Sequence, residues 1–225
     1  MGTNYLRYVK LVGTMHVSPE SRDRVERMII EEEPDAVALE LDGARLAGMI
    51  QGRKVSLVES LGMGRAGALN YLLSSLENKL GKEFGMMPGQ EMLSAYRASL
   101  RRGIPVYLID QDVRITLSKM LSIPVREKLI LGLDLIAGLF GLGAYEPGDL
   151  TDLKELMMEF KRRYPTLHRV LIDERNVVMA TNIAAIVDHL KMRGIRKPLV
   201  VAVVGMGHVP GMERLLNSWK SGEYL

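Results

Sequence analysis

Apolar and polar positions alternate along this chain in two rhythms. Short β-branched runs, such as Val9-Lys10-Leu11-Val12 and Val200-Val201-Ala202-Val203-Val204, are separated by longer stretches with apolar residues at helical spacing. The runs predict strands over 7–12, 36–39, 104–109 and 199–204. After the first, Ser18-Pro19-Glu20-Ser21 supplies a helix start, with Ser18 as N-cap and Pro19 at the first helical position. Val25, Met28 and Ile29 then share one helical face, and Pro34-Asp35 ends the helix. Further helices are predicted over 90–102, 167–193 and 212–220, the first leaving through Gly103-Ile104-Pro105. A strand, a helix and a strand in this succession imply a parallel pair joined by a right-handed crossover, so the fold class is α/β with a parallel sheet.

Two segments depart from plain alternation, 43–89 and 112–165. Both read as helical, apolar and rich in glycine, and are expected to form a cap over one end of the sheet or an oligomer surface, with a homodimer as the simplest form. Otherwise the 225 residues read as a single domain, with no internal linker and 47% hydrophobic residues to fill its core. The longest apolar run, 129–143, holds Asp134 and falls short of the roughly 20 residues that span a bilayer. It is expected to be a buried or interface helix ahead of a glycine-rich turn. The amino terminus lacks the apolar core of a signal peptide, so the expected location is the cytoplasm, or a membrane reached through a segment outside this chain.

Composition narrows the function. A net charge of +3 is spread along the chain and aromatics make up only 5%, a pattern with neither the basic stripe nor the stacking rings of a nucleic-acid binder. The absence of cysteine removes thiolate chemistry. Fifteen methionines read as adaptable core filler.

The chemistry is expected at the carboxyl ends of the strands, where open parallel sheets bind ligands. His16 follows the first strand, Glu40 and Asp42 the second, Asp110 and Asp112 the third, and His208 the fourth. The two histidines stand in a repeated Gly-x-x-His, Gly13-Thr14-Met15-His16 and Gly205-Met206-Gly207-His208, whose glycines permit a tight turn or close backbone approach. The histidines converge only if their strands are neighbours or near neighbours. Two imidazoles and a carboxylate are the donor set of a catalytic divalent-metal site, which places His16, Glu40 and His208 as metal candidates, with Glu40 as ligand or as base toward the attacking water. The plainer alternative for Glu40 is a capping or ion-paired carboxylate with Arg45 as partner. Glu91, in the first turn of its helix, is balanced between an acid role and simple dipole stabilisation. Asp110 is a further contributor from the third strand. Arg45 and Arg175 are candidates to orient carboxylates or to grip a substrate carboxylate, and for Arg175 an ordinary ion pair weighs nearly as much. His168 and His189 read as satisfied or solvated helix residues, and Trp219 as packing.

The ordered blocks Val12-Gly13-Thr14-Met15-His16-Val17-Ser18, Glu40-Leu41-Asp42 with Arg45, Gly89-Gln90-Glu91, Asp110-Gln111-Asp112-Val113, Asp173-Glu174-Arg175-Asn176 and Val203-Val204-Gly205-Met206-Gly207-His208-Val209 resemble the TraB pheromone-shutdown family, relatives of the Tiki metalloproteases. The resemblance implies a three-layer α/β fold with a mostly parallel central sheet, of the type shared with erythromycin esterases. It also implies paired Gly-x-x-His motifs and a glutamate at the active centre, and a manganese- or cobalt-dependent peptidase, zinc being an option. Short peptides are the substrates or ligands it suggests. Two features depart from the family: Gln111 stands where arginine is common, and no membrane segment follows in this chain. Three readings result: a metal-dependent peptidase, a module that binds or sequesters peptides without cutting them, and a metal-independent esterase-like hydrolase.

Overall fold

The structure, a computed structural model, describes residues 3–14, 19–51, 89–139 and 150–219. His16, the Ser18 cap, the glycine-rich stretch 62–68 and the end of the 129–143 run lie outside the described residues.

Among the described residues, strands β1 (Val9–Thr14), β2 (Ala36–Leu39), β3 (Val106–Leu108) and β4 (Val200–Gly205) form one parallel sheet in the order β1-β4-β2-β3. Every residue of β4 is buried, as a central strand covered on both faces requires, and its unbroken apolar run supplies the side chains for both. On one face, α1 (Pro19–Glu32) and, after α2 (Gly43–Ile50), α3 (Gln90–Arg101) pack through Val25, Ile29, Met92 and Ala95 against Val12, Leu39, Val201 and Val203. The insertion follows as α4 (Val113–Leu121), α5 (Val125–Leu139) and α6 (Leu150–Arg163). It leads into a short α7 (Pro165–His168), a π-helical turn Arg169–Asp173 and the long α8 (Glu174–Met192). The other face of the sheet is covered by α8 and α9 (Val209–Asn217), with Met179, Ile183, Val187, Met212 and Leu216 against Ala38, Val200, Ala202 and Val204. Alternate residues of β4 thus enter opposite cores, and the result is the expected three-layer α/β arrangement.

Several boundaries differ from the sequence reading. Leu6–Tyr8 forms a 3-10 turn, so β1 starts later and its pairing with β4 runs on to Thr14 opposite Gly205. β3 is shorter than 104–109, because Pro105 has no N–H to give to the ladder; its carbonyl still accepts from Val37. The last helix begins directly after His208, with Pro210 in its first turn, and ends at Asn217. Trp219 therefore lies past the helix, buried, and bridges Thr3.

The insertion has a small apolar cluster of its own, with Met120, Ile123, Tyr164, Leu167 and Val170 at its centre and Ile130, Leu131 and Phe160 packed on it. Of the buried or interface helix expected over 129–143, the described part is left uncovered along one stripe of α5. Val125, Leu129 and Leu133, spaced four apart on one stripe, are 68%, 64% and 66% exposed. Ile130 and Leu131 face the small cluster instead. No described helix is long and apolar enough to cross a membrane.

Candidate functional site

Strands β1 and β4, the two that carry the Gly-x-x-His motifs, are hydrogen-bonded neighbours, with Gly13 opposite Val204 and Thr14 opposite Gly205. The motifs are packed together as well. A Cβ on Gly13 would stand 2.8 Å from Met206 Sδ and 2.9 Å from Val209 Cγ2, so the first motif's glycine makes room for residues of the second. Gly205 has an ordinary backbone conformation, φ −59°, and serves differently: its N–H donates to Glu40 Oε2 at 2.6 Å. A tight turn is thus not the reason for that glycine.

Glu40 leaves β2 at the same edge and is 5% exposed. Its Oε1 accepts from Arg175 Nη2 at 2.5 Å and lies 3.3 Å from His208 Nε2. Burial alone would raise the Glu40 carboxyl. The His208 hydrogen bond and charge, the Arg175 guanidinium and the Gly205 N–H outweigh burial and hold the carboxyl well below the usual carboxylate range. The partner differs from the one expected. Arg45 touches Glu40 only through the backbone carbonyl, at 3.3 Å, while its ion pairs go to Asp42 at 2.8 Å and to Asp110. The helical geometry explains this: Asp42 caps α2 by accepting from Ala44 N and Arg45 N, which brings the Arg45 side chain back over the cap.

Asp110, at the end of β3, holds the cluster together. Its Oδ1 accepts from Arg175 Nε at 3.0 Å and Gln111 N at 2.8 Å, and its Oδ2 from Arg175 Nη2 at 2.6 Å and from Arg45 Nη2. Four donors use the four lone-pair positions of a carboxylate, so Asp110 is built to fix two guanidiniums. Burial would lower the proton affinity of Arg175, but the bonds and charges of Asp110 and Glu40 reverse that, so the guanidinium is held charged. Gln111 donates its side-chain amide to Thr116 Oγ1 at 2.7 Å.

His208 ends the 3-10 turn Met206–His208 and is 4% exposed. Its Nδ1 lies 2.7 Å from Asn176 Oδ1, and Asn176 is itself buried in α8. Consecutive residues of one helix therefore hold both members of the Glu40–His208 contact, Arg175 the carboxylate and Asn176 the imidazole. Glu91 is fully buried in the first turn of α3, beside Gly89, whose approach to Met49 links α3 to α2. Asp112 caps α4 by accepting from Arg114 N, and its Arg114 partners hold its carboxyl down at about 2. His168 is buried with Nδ1 3.1 Å from Asp173, and His189 is exposed, as a satisfied and a solvated histidine would be.

The structure thus brings together Glu40, Asp42, Arg45, Asp110, Arg175 and His208 from three strand ends and two helices. Sequence reasoning missed Asn176 and the Gly205 N–H. A signal existed for the first: asparagine is a weak helix former, yet it stands inside a helix next to Arg175. Among the described residues no group of three or more histidine or acidic side chains is arranged to hold a metal ion. Glu40 and His208 are two side chains of metal-ligand type, 3.3 Å apart.

A three-layer α/β domain with an acid, guanidinium and imidazole cluster at the carboxyl edge of its sheet is the class these observations define. The model of the TraB/PrgY/gumN family matches residues 4–142 and 141–224, and the chain belongs to that family. It is 32% identical over 223 residues to an uncharacterized protein of Methanocaldococcus jannaschii, a match covering 95% of this chain and 54% of that protein. TraB domain-containing proteins of Bos taurus and Homo sapiens are 28% identical over 234 and 232 residues, 92% of this chain and 62% of each of theirs. The chain thus spans less than two thirds of the length of these relatives.

Proposed function

We propose that the cluster is the centre of a metal-dependent hydrolase acting on short peptides, with His208 and Glu40 as ligands and His16, from the adjacent strand's motif, as the third. The contact between His208 Nε2 and Glu40 Oε1 carries this reading: a carboxylate held ionised faces an imidazole nitrogen at 3.3 Å, both buried. Three carboxylates, Glu40, Asp42 and Asp110, meet two guanidiniums, Arg45 and Arg175, so with His208 as a neutral ligand one negative charge is left for a cation to balance. Glu40, the carboxylate beside His208, serves as a ligand in this reading. Its Oε1 gives one lone pair to Arg175 and keeps another toward His208. Asp110, with its acceptor positions filled, positions the two arginines. Arg45, whose side chain is 31% exposed, is the guanidinium placed to meet a substrate carbonyl or carboxylate. A divalent ion would supply Lewis-acid activation of water and of the scissile carbonyl.

The test is calorimetric titration of the purified protein with manganese, cobalt and zinc, followed by mass spectrometry of a peptide library incubated with and without chelator. Metal binding lost in both His208→Ala and Glu40→Gln, with chelator-sensitive cleavage, is the expected result. No binding of any of the three metals overturns the metal reading. Intact peptides would mark a sequestering module. A second reading has an observation of its own, since a proton on Nε2 also satisfies the 3.3 Å contact. That reading is a metal-independent hydrolase, and cleavage that survives chelator is its signature.

A further inference from the structure

Two residues at this site break local helix rules with no local compensation. Asn176, a weak helix former, lies in α8, and Gly211, a weaker one still, lies in the first turn of α9. Gly211 is not among the glycines with positive φ, which are Gly89, Gly103 and Gly194 among the described residues, so its backbone does not require glycine. Space does. A Cβ on Gly211 would stand 2.2 Å from Asn176 Nδ2 and 3.1 Å from Cγ. The amide of Asn176 is therefore wedged between the Gly211 backbone and His208 Nδ1, with its nitrogen toward the first and its oxygen 2.7 Å from the second. Local rules broken together at one contact mark a place selected for something other than helix stability.

We infer that Asn176 is a positioning residue that keeps hydrogen on Nδ1 of His208, turning Nε2 toward Glu40 as the reactive nitrogen, and that position 211 is glycine to admit that amide. A neutral imidazole carries its hydrogen on one nitrogen only, and the bond made by the remote nitrogen decides which. The amide oxygen accepts from Nδ1–H, so Nε2, beside Glu40, is the nitrogen that gives up or takes a proton, and its lone pair becomes available to an ion or a proton when His208 is neutral. The π-helical turn Arg169–Asp173 precedes the pair, and the Leu171 carbonyl within it accepts from Arg175 Nη1 at 3.1 Å. The same turn of chain thereby sets Arg175 on Glu40 and Asn176 on His208. The consequence for metal affinity rests on His208 being a ligand, as proposed above, whereas the choice of nitrogen does not.

The experiment is ring 15N–1H correlation spectroscopy of the metal-free, 15N-labelled protein, which contains four histidines. The His208 signals are assigned by their loss in His208→Gln. Hydrogen on Nδ1 is expected in the wild type, retained in Asn176→Asp and shifted toward Nε2 in Asn176→Leu, which keeps the branched shape but removes the acceptor. Metal affinity should fall about 10–100-fold in Asn176→Leu and recover in Asn176→Asp. Gly211→Ala, which pushes the amide away, should shift the His208 signal in the same direction. Hydrogen solely on Nε2 in the wild type overturns the inference, as does a His208 spectrum unchanged by Asn176→Leu. The wild-type spectrum decides the matter even if a variant fails to fold. Nδ1–H in a protein that binds no metal would sustain the positioning role while sinking the metal reading.

Discussion

Glu40 and Glu127 are both buried carboxylates, 5% and 6% exposed, and both are held below the usual carboxylate range although burial opposes it. Their partners differ in kind. Glu127 Oε1 accepts from Thr166 N at 3.1 Å and Oε2 from Leu167 N at 3.0 Å, so a residue of α5 caps the helical start of α7 and pins the insertion to the segment leading into α8. Backbone amides at a helix start satisfy the carboxylate and cannot move away from it. Glu40 has one such amide, from Gly205, and otherwise faces a guanidinium and an imidazole brought from elsewhere in the chain. The first arrangement holds two helices together. The second keeps an ionised oxygen directed at a group able to exchange a proton or share an ion.

Removing the charged partner should separate the two most. Arg175→Met leaves Glu40 buried without its guanidinium, and a loss of about 3–5 kcal/mol in urea unfolding is expected. A loss below about 1 kcal/mol would make the Glu40 cluster no more demanding than an ordinary cap. Acid provides the next test. The folded-state pKa of Glu40 lies below its ordinary 4.5, so its contribution is present above that value and lost as pH falls below it. One such group accounts for at most about 1.4 kcal/mol per pH unit. Unfolding curves between pH 5 and about 2.5 should show a shallower acid limb in Glu40→Gln, with the share from Glu127 remaining; an identical limb would mean that Glu40 is not held ionised. The smallest effect is expected from Glu127→Ala, about 1–2 kcal/mol, typical of a lost helix cap, with metal binding unchanged. A change in metal binding there would join two regions that the structure keeps apart.

Much of the frame was legible because it depends on local patterning. Ala36-Val37-Ala38-Leu39 is a strand within the limits predicted, and Gln90 does begin a helix. Each strand-end residue named from sequence, within the described part of the chain, lies at the carboxyl edge, since parallel crossovers leave no other place for the residues after each strand. The partner of Glu40 was not legible. Arg45, five residues away, was the near choice, yet Asp42 captures it through the cap of α2, and Arg175, from 135 positions along the chain, takes the carboxylate. The exposed stripe Val125, Leu129 and Leu133 was equally hidden, because apolar spacing shows that a helix has a face but not what covers it.

By itself the sequence determined that β-branched runs become parallel strands and that glycines, acids and histidines follow them, since these depend on side-chain sterics and spacing over a few residues. Only the tertiary structure decided the order β1-β4-β2-β3, the packing of Met206 and Val209 over Gly13, and the joining of Arg175 to Glu40 and Asn176 to His208. Those contacts span 32 positions for Asn176 with His208, 135 for Arg175 with Glu40, and 193 and 196 for Gly13 with Met206 and Val209. At such separations local preference carries no information, and close packing of the two cores selects the pairing.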